Sequence, residues 1–135
     1  MGLWTRHRLP WVTSYEELPG FEHLYLEDSW VLRVNDTPGE LRFDMEAVLT
    51  EDHPQWHPPK PGEQYAYKRV ALVFAKPRRV QWAERMHGPP AVDASGEVDY
   101  GNIDVFTWDG TRFELQGDWG KVSVDGDPPL VIDVD

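Results

Sequence analysis

Cysteine is absent from the 135 residues. That excludes a disulfide framework, a cysteine nucleophile and any thiolate metal site. It also fits a reducing compartment, so the expected location is cytoplasmic. Long apolar runs are missing as well. Arg6 and Arg8 stand near the start, but Pro10, Thr13, Ser14, Glu16 and Glu17 interrupt the stretch behind them. Neither a signal peptide nor a membrane span is expected. Met1-Gly2 opens like a myristoylation signal, yet position six holds Arg6 where Ser or Thr is required. The signatures of common catalysts are lacking too: there is no Gly-x-Ser-x-Gly, no P-loop and no Gly-x-Gly-x-x-Gly. The chain is therefore read as non-enzymatic, and no cofactor is expected.

Positive charge is scarce. Thirteen Lys and Arg stand against 24 Asp and Glu, for a net charge of -11. The excess is concentrated late: residues 91–135 hold 11 acids and two bases. Phosphate contacts need clustered Lys and Arg, so nucleic acid is not an expected partner. The same field permits a basic protein partner and also serves simple solubility.

What is present is a rhythm of two. Leu41, Phe43, Met45, Ala47 and Leu49 alternate with Arg42, Asp44, Glu46 and Val48. One face is oily and the other mostly charged, the pattern of a strand with one wet side. Trp30, Leu32 and Val34 alternate in the same way with Val31 and Arg33, and Asn35 to Gly39 are turn formers. Residues 24–34 and 40–50 read as a long hairpin. Val70, Leu72 and Phe74 are expected on one face of a third strand, Tyr65 to Ala75, which Pro77 ends. Arg79 to Glu84 restarts the pattern, with Val80 and Trp82 on one face. Residues 87–99 read as a loop. Asp109-Gly110 between two aromatic-rich runs signals a hairpin, and a two-residue loop would set Phe106 opposite Phe113. Lys121 to Val124 continues the meander, and Leu130 to Val134 closes the chain.

The expected fold is all-β and mainly antiparallel. About seven to eight strands form a sandwich or a partly open barrel, with at most one short helical turn. A single domain is expected over 1–135, with residues 1–20 as an N-terminal arm. Its helical turn is placed at Ser14 to Glu17, whose Ser-x-x-Glu spacing suits a capping box.

Few constellations suggest chemistry. The loop 51–64 contains His53, Trp56 and His57. Two His at i and i+4 align only on a helix, and Pro54, Pro58, Pro59 and Pro61 forbid one. A stiff surface connection with Trp56 packed down is expected, and no metal. Asp93 to Asp99 is acidic and Gly-containing, but its spacing departs from a calcium loop. Of seven tryptophans, Trp30, Trp82 and Trp108 fall in strands, while Trp4, Trp11, Trp56 and Trp119 fall in loops or at strand ends. There they either pack inward or form a stacking platform. Gly117-Asp118-Trp119-Gly120 reads as a tight bend with Trp119 turned inward, or as a pocket lip formed by Asp118 and Trp119. Lys68, Arg69, Lys76, Arg78, Arg79 and Arg85 make a basic run, expected to be neutralised across a sheet by the acidic C-terminal third.

Three segments carry a resemblance: Leu24-Tyr25-Leu26-Glu27-Asp28-Ser29-Trp30-Val31-Leu32, Pro58-Pro59-Lys60-Pro61-Gly62-Glu63-Gln64-Tyr65 and Gly117-Asp118-Trp119-Gly120. On these the chain resembles a family of uncharacterised small bacterial β-rich proteins. More loosely, it is similar to small acidic immunity-type proteins that neutralise toxins. The resemblance implies a binding or interaction protein and assigns no catalytic residue. Three readings stay open. The first is a non-enzymatic protein acting on a basic protein partner, immunity-like. The second is a small-ligand or carbohydrate-binding sandwich that uses loop aromatics. The third is an enzyme with an unrecognised site near His53, His57, Asp118 or Glu27. The candidate binding residues are His53, Trp56, His57, Asp118 and Trp119. An exposed strand edge also allows a homodimer.

Overall fold

The computed structural model describes residues 13–85, 91–92 and 98–134, and over them the chain is all-β. The strands are β1 (Thr13–Ser14), β2 (Leu24–Thr37), β3 (Glu40–Leu49), β4 (Ala66–Ala75), β5 (Arg79–Arg85), β6 (Ala91–Val92), β7 (Val98–Asp99), β8 (Val105–Trp108), β9 (Arg112–Gly117), β10 (Gly120–Asp125) and β11 (Leu130–Asp133). A single 3-10 turn, Tyr15–Glu17, follows β1. One sheet has the order β1-β8-β9-β10-β5 and the other β11-β4-β3-β2, and all their pairings are antiparallel. Neither closes into a barrel, so the architecture is a sandwich.

The core lies between the two sheets. Leu41, Phe43, Met45, Ala47 and Leu49 of β3 are all buried, as their alternation requires. Val70, Leu72 and Phe74 join them from β4, with Phe113, Leu115, Val122 and Val124 from the other sheet. Ala71 and Val73 are buried too, so β4 is covered on both faces. Its neighbours close over these small side chains: Val73 lies between Arg42 and Leu130, and Ala71 between Asp44 and Ile132.

Strand β2 departs from its apparent alternation. Val31, not Trp30, enters the core, opposite Met45. Trp30 lies on the outer face and meets the Tyr67 ring edge-on at 4.9 Å. The cause is a bulge: Tyr25 pairs with Val48 and Trp30 with Glu46, which leaves surplus chain between them. Ser29 closes this gap. Its hydroxyl donates to the Tyr25 carbonyl at 2.7 Å and accepts the Val48 N–H at 2.7 Å. The hairpin turn is also tighter than its composition suggests. Asn35, Asp36 and Thr37 belong to β2, and only Pro38 and Gly39 turn the chain, with Gly39 at φ +88.

Three further expectations are corrected. Trp108, not Phe106, faces Phe113, and Phe106 faces Leu115. The loop is longer because the Asp109 carboxylate accepts the N–H groups of Thr111 and Arg112, at 2.9 and 2.8 Å. The slip is two residues, so Phe106 and Phe113 still share the buried face. The stretch read as a loop at 87–99 contains the β6–β7 pair; Asp93 to Glu97 lie outside the described residues. At Ser14 no capping box forms: its hydroxyl bonds the Glu16 carboxylate instead of a backbone N–H. The closing strand, Leu130 to Asp133, lies on the other sheet, where it pairs with β4.

Candidate functional site

The connection from β3 to β4 is pinned at its start. Thr50 donates its N–H to the His23 carbonyl at 3.0 Å, and two successive turns follow, His53 N–H to Thr50 and Trp56 N–H to His53, both at 2.9 Å. The prolines prevent these turns from growing into a helix. The loop is stiff, and it presents its side chains to three adjoining clefts.

His53 lines a cleft of about 400 Å³ with Gly20, Glu22, His23, Val131 and Asp133. Its Nδ1 accepts the Gln55 N–H at 3.0 Å, so the neutral ring carries its proton on Nε2. Burial, then the neighbouring His23, holds its pKa below the ordinary histidine value, while Asp133 acts in the opposite sense. His57 lies in a smaller cleft of about 240 Å³ with Lys60, Tyr67 and Lys68. Its Nδ1 lies 2.9 Å from the Pro58 carbonyl, which can only accept, so that nitrogen carries the proton. The two histidines thus hold opposite tautomers in different clefts. Among the described residues no group of three His, Asp or Glu is placed to hold a metal ion.

Trp56 lines the third cleft, of about 340 Å³. Its floor is hydrocarbon: Val48, Leu49 and Ala66. Tyr25, Tyr65 and Trp56 wall it, and Thr50, Glu51 and Gln64 supply polar groups. Tyr25 is 41% exposed. The aromatic surface continues outward: Tyr65 meets Tyr67 edge-on at 6.2 Å, and Tyr67 meets Trp30. Tyr65 donates its hydroxyl to Asp28 at 2.7 Å, and that bond raises its pKa. Burial, then Glu63, raises that of Tyr67. Both phenols stay neutral at physiological pH. The cleft therefore offers flat uncharged rings beside a few hydrogen-bonding groups.

The remaining candidates lie elsewhere. Trp119 is buried, with its indole N–H on the Asn102 carbonyl at 3.0 Å and its ring 4.9 Å from Phe43. It is part of the core and cannot stack a ligand at the surface. Asp118 is exposed in the β9–β10 turn, beside Gly101. Glu27 accepts the Tyr15 hydroxyl at 2.5 Å, and that hydroxyl in turn accepts the Leu26 N–H. Trp4 and Trp11 lie outside the described residues. Among the described residues the carboxylates of the C-terminal third do not converge. Asp109 and Asp118 are at opposite ends of β9, Asp133 is on the other sheet, and Asp125 is engaged with Arg112 at 2.9 Å. They neutralise the basic run only in part: Asp125 lies across from Arg79 on β5, and its pKa is lowered first by its bond to Arg112 and also by the charges of Arg79 and Arg78. Arg69 pairs with Glu46 at 2.7 Å and Arg85 with Asp36 at 3.7 Å, both acids of the β2–β3 hairpin. Arg85 also lies 4.6 Å above the Trp82 ring.

Sequence reasoning weighed the loop tryptophans and missed Tyr25, Tyr65, His23 and Asp133. Tyr25 carried a usable signal, since it alternates with Leu24 and Leu26 and so had to face outward. Its meeting with Tyr65 depends on β3 lying between β2 and β4, which no local pattern encodes. Among the described residues no helix is long and apolar enough to cross a membrane. No family model, curated protein or solved structure matches the chain.

Proposed function

We propose that the chain is a non-enzymatic binding protein whose ligand is a saccharide, held in the cleft of Tyr25, Trp56 and Tyr65. The observation that carries this reading is the pairing of neutral aromatic walls with a rim of hydroxyl, amide and carboxylate groups. Sugar rings present C–H faces that stack on aromatic side chains and hydroxyls that bond such a rim. A cleft of about 340 Å³ is at the lower end of the range for ligand pockets, which suits a short oligosaccharide segment. Trp56 is half-buried and packs against the core, so it meets a ligand without being ordered first.

The test is titration with a panel of neutral oligosaccharides, followed by tryptophan fluorescence and calorimetry. At least one should bind, and Trp56→Ala or Tyr65→Ala should weaken it by about tenfold or more, as for aromatic anchors generally. Trp119→Phe, which touches only the core, should leave affinity unchanged. If no saccharide perturbs the protein at millimolar concentration, the reading is lost.

A further inference from the structure

Strand β11 is an edge of its sheet, and its register on β4 fixes what it shows to solvent. Leu130 faces Val73 and Ile132 faces Ala71, so both side chains lie on the outer face of the sheet. Leu130, Ile132 and Val134 are 57%, 39% and 42% exposed. They are three of the five large hydrophobic residues exposed among the described residues.

Among the described residues no strand pairs with the outer edge of β11. Val134 donates its N–H to the Arg69 carbonyl at 3.3 Å. In an antiparallel ladder such pairs alternate, so Ile132 and Leu130 also turn their backbone groups toward β4. The N–H and C=O groups of Val131 and Asp133 then point away from the sheet. The opposite edge, β2, differs: Val31 exchanges bonds with Gly101 and Tyr100 at 2.8 and 2.9 Å. Edge strands of soluble proteins usually carry a lysine, a bulge or a cover against further pairing. Among the described residues Leu130 to Val134 have none: their register on β4 is regular and the one charged side chain is Asp133.

Charge selects among possible occupants. Asp133 and Glu22 line the same cleft beside Val131, and exposed Asp127 precedes the strand. A second copy would bring two chains of net charge -11 together, each with Asp133 at the contact. A cationic strand meets no such opposition. We propose that the β11 edge is the docking site for an extended, basic segment of another protein, added as a fifth strand of that sheet. Its backbone pairs with Val131 and Asp133, its apolar residues extend the stripe of Leu130 and Ile132, and a Lys or Arg enters the cleft between Glu22 and Asp133. The proposal is independent of the saccharide reading, because the two surfaces share no residue.

The probe is a capped peptide of roughly ten residues alternating lysine and valine, with a glutamate-for-lysine counterpart. Amide chemical shifts and hydrogen exchange of the full chain give the readout. Expected are shifts along Leu130 to Val134, new protection at the Val131 and Asp133 amides, and no binding of the glutamate peptide. Asp133→Lys and, separately, Ile132→Lys should each lower affinity by about tenfold or more. Their urea midpoints serve as controls that both variants fold. Equal binding of both peptides would overturn the proposal, as would shifts that map elsewhere or no binding up to about 1 mM. Protection of the same amides by concentration-dependent dimerisation would overturn it in favour of a second copy.

Discussion

Ser29 is the one polar side chain buried among the described residues, at 1% exposure. A hydroxyl is kept there because the bulge in β2 strands two backbone groups, the Tyr25 carbonyl and the Val48 N–H, and a single oxygen serves both. Removing it leaves a buried donor without a partner, which costs about 1–3 kcal/mol. We predict that Ser29→Ala lowers unfolding stability by that amount in urea titration, while Ser123→Ala has a smaller effect. Ser123 is half-exposed and bonds only the Glu114 side chain. If the two variants were equally mild, the bridging role would be refuted. The local sequence concealed this role. In an unbroken alternation with Leu24 and Leu26, Ser29 would face outward, and the bulge reverses that phase so that Ser29 is buried.

Among elements, the β9–β10 turn shows how a short motif becomes architecture. Gly117 and Gly120 flank Asp118-Trp119 because the chain passes close to its neighbours on both sides. A Cβ on Gly117 would collide with the Asn102 carbonyl and the Trp119 indole, the two partners of a part-buried hydrogen bond. Gly117→Ala should therefore cost about 3 kcal/mol. Asp118→Ala, at the exposed tip between them, should stay within about 0.5 kcal/mol. Thermal melts of the two variants decide this, and a mild Gly117→Ala would mean that the turn relaxes freely. The inward course of Trp119 was one of two readings open from sequence. The two-residue slip of the β8–β9 hairpin was not legible at all, because it depends on how the Asp109 side chain caps the turn. It did no harm to the core, since a period of two returns the same face.

For the molecule as a whole, one continuous core joins both sheets. Phe43 of β3 touches Trp119 beside β10, and Phe74 of β4 touches Phe113 of β9 at 5.5 Å. Neither sheet can bury its inner face without the other. Unfolding in urea should therefore be a single transition. Amide exchange of β9 and β10 reports on the five-stranded sheet, and that of β3 and β4 on the other. Transitions that separated by more than experimental error would show two units rather than one.

Alternation alone determined the β class and the inner face of β3, because a strand's side chains are sorted by local geometry and burial; the short helical turn was read from the spacing of Ser14 and Glu17. Which residues of the bulged β2 face inward, how Leu130 to Asp133 leaves the meander for the opposite sheet, and which aromatic side chains share a cleft were decided only in the folded chain. Those outcomes rest on register and on strand order, which are set by contacts between residues far apart in sequence. The three candidates in the β3–β4 loop are neighbours along the chain, yet stiff proline-rich turns direct them to three different clefts. Proximity in sequence fixed the loop they share, and the packing of that loop against β2, β4 and β11 fixed what each of them can touch.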